Sequence, residues 1–182
     1  SVTVSGATAT GDAGVVLGAG LADLLLIAAG DDVLLVDRTA DGVTVEIPTN
    51  LDLARRSGRV RLDGAQVDVL PGAAADALAY ARTLFAAEAA GGAADCLRTA
   101  VEYAKVREQF GRTIATFQAV KHHCANMAVA AESTVAAVWD AARAAGESAE
   151  DGQSQFELIA AAAATLAFPA YVRNAELNIQ VH

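Results

Sequence analysis

The chain has 182 residues, is 54% hydrophobic with alanine dominant, and carries a formal net charge of -9. That length admits one domain or two small ones with a sizeable core. The negative balance argues against a nucleic-acid partner, because neutralising phosphates takes Lys and Arg.

Residues 2–6, 13–18, 23–29, 32–37, 42–47, 58–64 and 65–70 are β-branched or apolar runs broken by Gly and Asp. VTVE and RVRLD alternate with period two, as half-buried antiparallel strands do. Asp41-Gly42 and Gly30-Asp31-Asp32 supply turns. The spacing predicts a small antiparallel barrel or sandwich over residues 1–70. Residues 48–57 read as a loop with Arg55 and Arg56 solvated.

Pro71-Gly72 marks a change of architecture. From Ala73 to about Val106 apolar residues recur at helical spacing, giving a helix of roughly 33 residues and about 50 Å. Gly91-Gly92 in its middle either lets a neighbouring helix approach closely or kinks it. A second helix is predicted over residues 115–145, with Gly146 as C-cap, then a polar loop at 147–153. A third runs from about Ser154 to the end, kinked near Pro169, which has no backbone donor. The fold class is α+β and multidomain: a β-unit over 1–70, then an up-down antiparallel helical bundle over 73–182.

Cys96 and Cys124 lie in helical patterns with no partner motif. They read as buried thiols of a reducing compartment, not as a disulfide or a zinc site. No basic region precedes an apolar run at the start, so no signal peptide is expected. The longest apolar run, residues 159–170, is too short to span a bilayer. A cytoplasmic protein without a membrane span is the expectation.

Chemistry concentrates in residues 107–118, REQFGRTIATFQ. Arg107 offers a planar fork of donors suited to a pyrophosphate. Gln118 can donate and accept at a ring edge, and Phe110 and Phe117 can pack on a flat ring. The residues allow a site for a flat, phosphorylated ligand. They equally allow surface arginines beside two aromatic anchors of a helical hairpin.

This stretch resembles the signature of the acyl-CoA dehydrogenase family: an Arg, two residues, Phe-Gly, a short turn, then Phe-Gln opening a long helix. The resemblance covers nearly the whole chain. It implies the later part of a middle β-domain followed by three of four bundle helices. It implies FAD as cofactor, oxidation of the Cα–Cβ bond of an acyl-CoA, and an electron-transfer flavoprotein as acceptor. By resemblance Arg107 reaches the FAD pyrophosphate of a neighbouring subunit, and Phe110 and Gln118 lie beside that FAD. Gln180 matches the first residue of a Gln-x-x-Gly-Gly turn that also meets it, so a homo- or hetero-oligomer is implied. Arg82 matches an arginine near the acyl-CoA thioester pocket.

Departures from the family pattern remove the catalytic base. The common glutamate lies after the Gln-x-x-Gly-Gly turn, beyond residue 182. Where some members carry the base on the first bundle helix this chain has Ala81, and Ala79 stands for a frequent aspartate. Glu88 lies two helical turns on, about 10 Å away. No catalytic residue is assigned. The expectation is a fragment inactive alone, or a non-catalytic partner subunit of the heteromeric bacterial type that handles steroid side chains. An acyl-CoA oxidase or a flavin monooxygenase of the same fold is a further alternative. An open apolar helix face is expected where a fourth helix would pack.

Overall fold

A computed structural model describes residues 1–146 and 155–182. Two compact units form, Ser1–Ala77 and Leu78–His182. The polar loop expected at 147–153, and the predicted helix start at Ser154, lie outside the described residues.

The first unit holds β1 (Val2–Ser5), β2 (Thr8–Val16), β3 (Leu24–Ala29), β4 (Asp32–Asp37), β5 (Val43–Glu46), β6 (Gly58–Gln66) and β7 (Asp68–Leu70). Two antiparallel sheets result, ordered β1-β2-β6-β5 and β3-β4-β7. Leu25, Ile27, Leu34 and Val36 of the second meet Ala9, Val60, Leu62 and Ala65 of the first in one buried cluster. A sandwich, not a closed barrel, satisfies the alternation. Val60 and Leu62 point inward while Arg59 and Arg61 face solvent. Arg59 donates to Asp12 Oδ2 at 2.6 and 2.9 Å, and Arg61 to Glu46 Oε1 at 2.7 Å. The Arg59 hydrogen bond, followed by the Gly14 N–H, holds the Asp12 carboxyl below its usual range.

Most strand boundaries differ from the sequence reading by no more than two residues, and the starts of β2 and β7 by more. β2 begins at Thr8 rather than 13, because bulges between Ala9 and Gly11 and between Asp12 and Gly14 carry the ladder past the glycines. β6 continues through Gly64 to Gln66, and the break falls at buried Val67, whose N–H bonds Ala7 O at 2.9 Å.

The helices are α1 (Ala74–Val106), α2 (Gln118–Gly146) and α3 (Phe156–Val181). Between α1 and α2 lie β8 (Glu108–Gln109), β9 (Arg112–Thr113) and a 3-10 turn, Ile114–Thr116. That turn displaces the expected start of α2 by three residues. Gly146 is the last described helical residue rather than a cap outside the helix. The helices pack in layers built mainly from methyl groups. Ala79, Ala144, Phe156 and Ala160 form one layer, and Ala86, Ala89, Ala141, Ala163 and Ala167 the next. Ala100, Ala104, Met127 and Val181 form the layer at the far end. Between the last two sits Asn174, fully buried, donating to Ala93 O at 3.0 Å on α1 and Met127 O at 3.1 Å on α2.

Gly91-Gly92 leaves α1 an unbroken 33-residue helix, so no break occurs there. A Cβ on Gly92 would lie 2.5 Å from the Tyr171 ring of α3, whereas one on Gly91 would meet nothing within 4 Å. Close approach is therefore the role of Gly92. Helix α3 likewise runs through Pro169 without interruption, which settles that residue as no break. Its 26 residues make it long and apolar enough, by length and composition alone, to cross a membrane. The apolar run 159–170 is only part of this helix. Burial of Ala160, Ala163, Ala164, Ala167, Asn174 and Val181 ties the helix into the bundle. On its outer side Leu158, Thr165, Phe168, Val172 and Ile179 are exposed at spacings of three, four and seven. These residues make the outer side of α3 an exposed, largely apolar face.

Gly91→Ala should raise stability by about 0.5–1 kcal/mol, the helix-interior penalty of glycine. Gly92→Ala should give no such gain, because Tyr171 must swing away. Urea unfolding of the two variants checks the difference.

Candidate functional site

The C-terminal ends of α1 and α3 and the N-terminal end of α2 meet at one end of the bundle. Val181 packs with Ala100, Ala104 and Met127, and Ile114, Ala115, Val120 and Leu177 lie against that layer. The Tyr103 ring stacks on His182 at 4.2 Å, and its hydroxyl donates to His182 O at 3.2 Å. These contacts bring the loop after α1 and the last turn of α3 to the same level.

Helix α1 closes with Arg107 N–H on Tyr103 O at 2.9 Å, and the chain then reverses. Gln109 pairs with Arg112 and Glu108 with Thr113, so Phe110 and Gly111 are the two loop residues of a tight hairpin. Both have left-handed backbone, with φ of 55° and 78°. Two left-handed loop residues are the geometry whose twist suits paired strands. Glycine adopts it freely. Phenylalanine does so at a cost of about 1–2 kcal/mol. The hairpin is closed by Ile114 N–H on Arg107 O at 2.8 Å.

The strain presents an aromatic ring to solvent: Phe110 is 91% exposed. Its ring meets Phe117 edge to face at 6.1 Å and 83°. The Arg112 guanidinium lies over the other aromatic, 4.1 Å from the Phe117 centroid. Gln118, first residue of α2, places its side-chain nitrogen 3.0 Å from His122 Nε2. Arg107 is exposed and has no ion-pair partner among the described residues. The arrangement offers a cation, an amide and a projecting ring within one short segment, which suits a flat ligand carrying phosphate.

Arg107, Phe110 and Gln118 are thus brought together, and Gln180 is exposed on the last turn of α3 at the same end. Arg82 is not part of this group. It is half-buried on α1, twenty-five positions before Arg107, which is about 38 Å along the axis. Ala79 is fully buried against Phe156, Ala144 and Ala160, where an aspartate would be stranded in an apolar layer. Sequence reasoning missed two contacts, Arg112 over Phe117 and Gln118 with His122. The second had a signal, since i and i+4 share a helix face. The first had none, because it depends on the hairpin.

Comparison with known proteins supplies context for this geometry. The family model "Acyl-CoA dehydrogenase, C-terminal domain" matches residues 72–182. The chain is 45% identical over 174 residues to acyl-CoA dehydrogenase FadE34 of Mycobacterium tuberculosis, covering 96% of the chain and 24% of that protein. It is 50% identical over 64 residues to acyl-CoA dehydrogenase IpdE2 of the same organism, covering 35% of the chain and 20% of that protein. A solved variant of the Tcur3481-Tcur3483 steroid ACAD superposes on 100% of the chain and 50% of its own, with TM-score 0.85 and 30% identity. The chain spans a quarter or less of these two curated relatives and half of the solved chain.

Phe110→Gly should raise stability by about 1 kcal/mol through release of backbone strain. Thermal unfolding beside a Phe117→Leu control checks it. Loss of stability would mean that the Phe110 ring contact outweighs the strain.

Proposed function

Because the chain belongs to the acyl-CoA dehydrogenase family, we propose that it is the sheet-and-bundle portion of an FAD-dependent dehydrogenase that oxidises the Cα–Cβ bond of an acyl-CoA. The observation that carries this reading is the strained hairpin, which holds Phe110 open to solvent beside unpaired Arg107 and beside Gln118. Those residues fit FAD: guanidinium for its pyrophosphate, ring and amide for its flat parts. Gln180 approaches from the end of α3. Bound FAD supplies the acceptor for the β-hydride. The chain's own residues bind and orient. Arg107 fixes charge, Phe110 covers a ring face, and the hairpin hydrogen bonds hold both still. Arg82, far along α1, serves an acyl-CoA group rather than the flavin edge.

In this reading the residues around Arg107 complete the cofactor site of a neighbouring subunit, so the working enzyme is a homo- or hetero-oligomer. Electrons leave to an electron-transfer flavoprotein. Proton removal from the α-carbon requires a carboxylate, and none is assigned among the residues of this chain. One observation favours a second reading, a non-catalytic subunit of a heteromeric enzyme. Ala79 and Ala81 give α1 no carboxylate at those positions, and Ala79 is built into the core. Steroid side-chain acyl-CoA substrates accord with both readings, since the steroid ACAD named above shares the fold.

The full-length protein provides the test. Arg107→Ala should lower flavin occupancy at least several-fold, whereas Arg112→Ala, whose cation is already engaged with Phe117, should lower it less. Absorbance at the flavin bands of the purified oligomers measures both. Equal occupancy in the two variants would remove Arg107 from the site. Acyl-CoA-dependent reduction of an artificial acceptor under anaerobic conditions separates a dehydrogenase from an oxidase. It also separates either from a subunit that turns over only with its partner.

A further inference from the structure

The chain has thirteen cationic side chains, and only two of them are lysines, Lys105 and Lys121. Both line the same pocket, a space of about 210 Å³ between the last turns of α1 and the first turns of α2. Its walls are otherwise apolar, formed by Val101, Ala104, Ala115 and Val120 with the thiol of Cys124. Five arginines, Arg55, Arg59, Arg61, Arg98 and Arg143, each sit within ion-pair distance of a carboxylate. Among the described residues neither lysine has such a partner.

Helix electrostatics sharpens the contrast. Lys105 lies in the last turn of α1, where the helix dipole favours a cation. Lys121 lies at the opposite kind of position. It is three residues after Gln118, the first residue of α2, and no acidic residue occupies that first turn. A cation there is disfavoured by the dipole. In a chain of net charge -9, two unmatched ammonium groups over an apolar floor call for an anion with an apolar body.

We propose that this pocket binds a small amphiphilic carboxylate, its hydrocarbon part against Val101, Ala104 and Val120 and its anionic head between Lys105 and Lys121. The volume corresponds to about seven waters at roughly 30 Å³ each, which suits a chain of about six carbons. The site is distinct from the residues assigned to the flavin, and its occupancy does not require one. Cys124 reports on it. Burial pushes that thiol above its usual range, so it alkylates slowly, and a molecule in the pocket shields it further.

The experiment uses the full-length protein with iodoacetamide, following Cys124 modification by peptide mass spectrometry. Hexanoate should protect Cys124 saturably, and the neutral analogue 1-hexanol should need at least tenfold higher concentration. The double variant Lys105→Gln/Lys121→Gln should lose at least tenfold in hexanoate affinity while retaining its circular dichroism spectrum. Cys124→Leu, which fills the pocket, should abolish hexanoate binding measured by calorimetry. Equal protection by hexanoate and hexanol would overturn the proposal, leaving a plain apolar cavity. Unchanged affinity in the lysine variant would overturn it too. So would absence of protection, which would mean that the lysines meet an acidic surface of another protein segment.

Discussion

One buried amide sets the register of the bundle. Asn174 donates to a carbonyl of α1 and to a carbonyl of α2, so α3 cannot slide past either without leaving a polar group stranded among methyls. Alanine layers alone would specify this poorly, since one methyl resembles the next along the helix. The two hydrogen bonds choose a single alignment from several that methyl packing would tolerate. That alignment puts Val181 level with Ala104 and lets Tyr103 stack on His182. The candidate site inherits its geometry from those contacts.

The hairpin at that end trades backbone comfort for presentation. Most exposed phenylalanines fold back onto neighbouring surface. Phe110 does not, because its left-handed backbone and the short ladder direct the ring outward. Positions of this kind persist where surrounding structure over-determines them, and they concentrate where ligands are held. The surrounding structure here is modest: two strand pairs, one closing hydrogen bond and an edge contact with Phe117. Rigid placement with little material suits the flavin contact proposed for this loop.

Much of this was legible in the sequence, for reasons that differ by element. The strands announced themselves because alternation of Val and Leu with Arg and Asp requires one buried and one solvated face. The long helices did so because alanine leaves few other options. Gly92 was readable as a point of close approach, although only the structure shows that Tyr171 is what approaches. The bulged start of β2 was not readable, since bulges break the alternation that signals a strand. Nor was the stacking of Arg112 on Phe117, because sequence spacing gives no hint that a left-handed turn will fold one over the other. Asn174 was hidden as well: one polar residue on an apolar helix does not disclose which carbonyls it meets. The resemblance to a known family located Arg107, Phe110 and Gln118 in one motif, and the fold explains how they come together.

A core of methyl groups can change in only one direction. No side chain with a Cβ is smaller than alanine, so almost every substitution at Ala86, Ala89, Ala141, Ala163 or Ala167 adds volume and forces helices apart. Cores of leucine and phenylalanine drift by compensation, one residue shrinking as its neighbour grows. This one has no such reserve. Variation among related chains should therefore be pushed to the outer faces of the helices and to the loops. Those are the surfaces on which partner choice and ligand choice are decided, so the stiffness of the interior steers evolutionary change towards specificity.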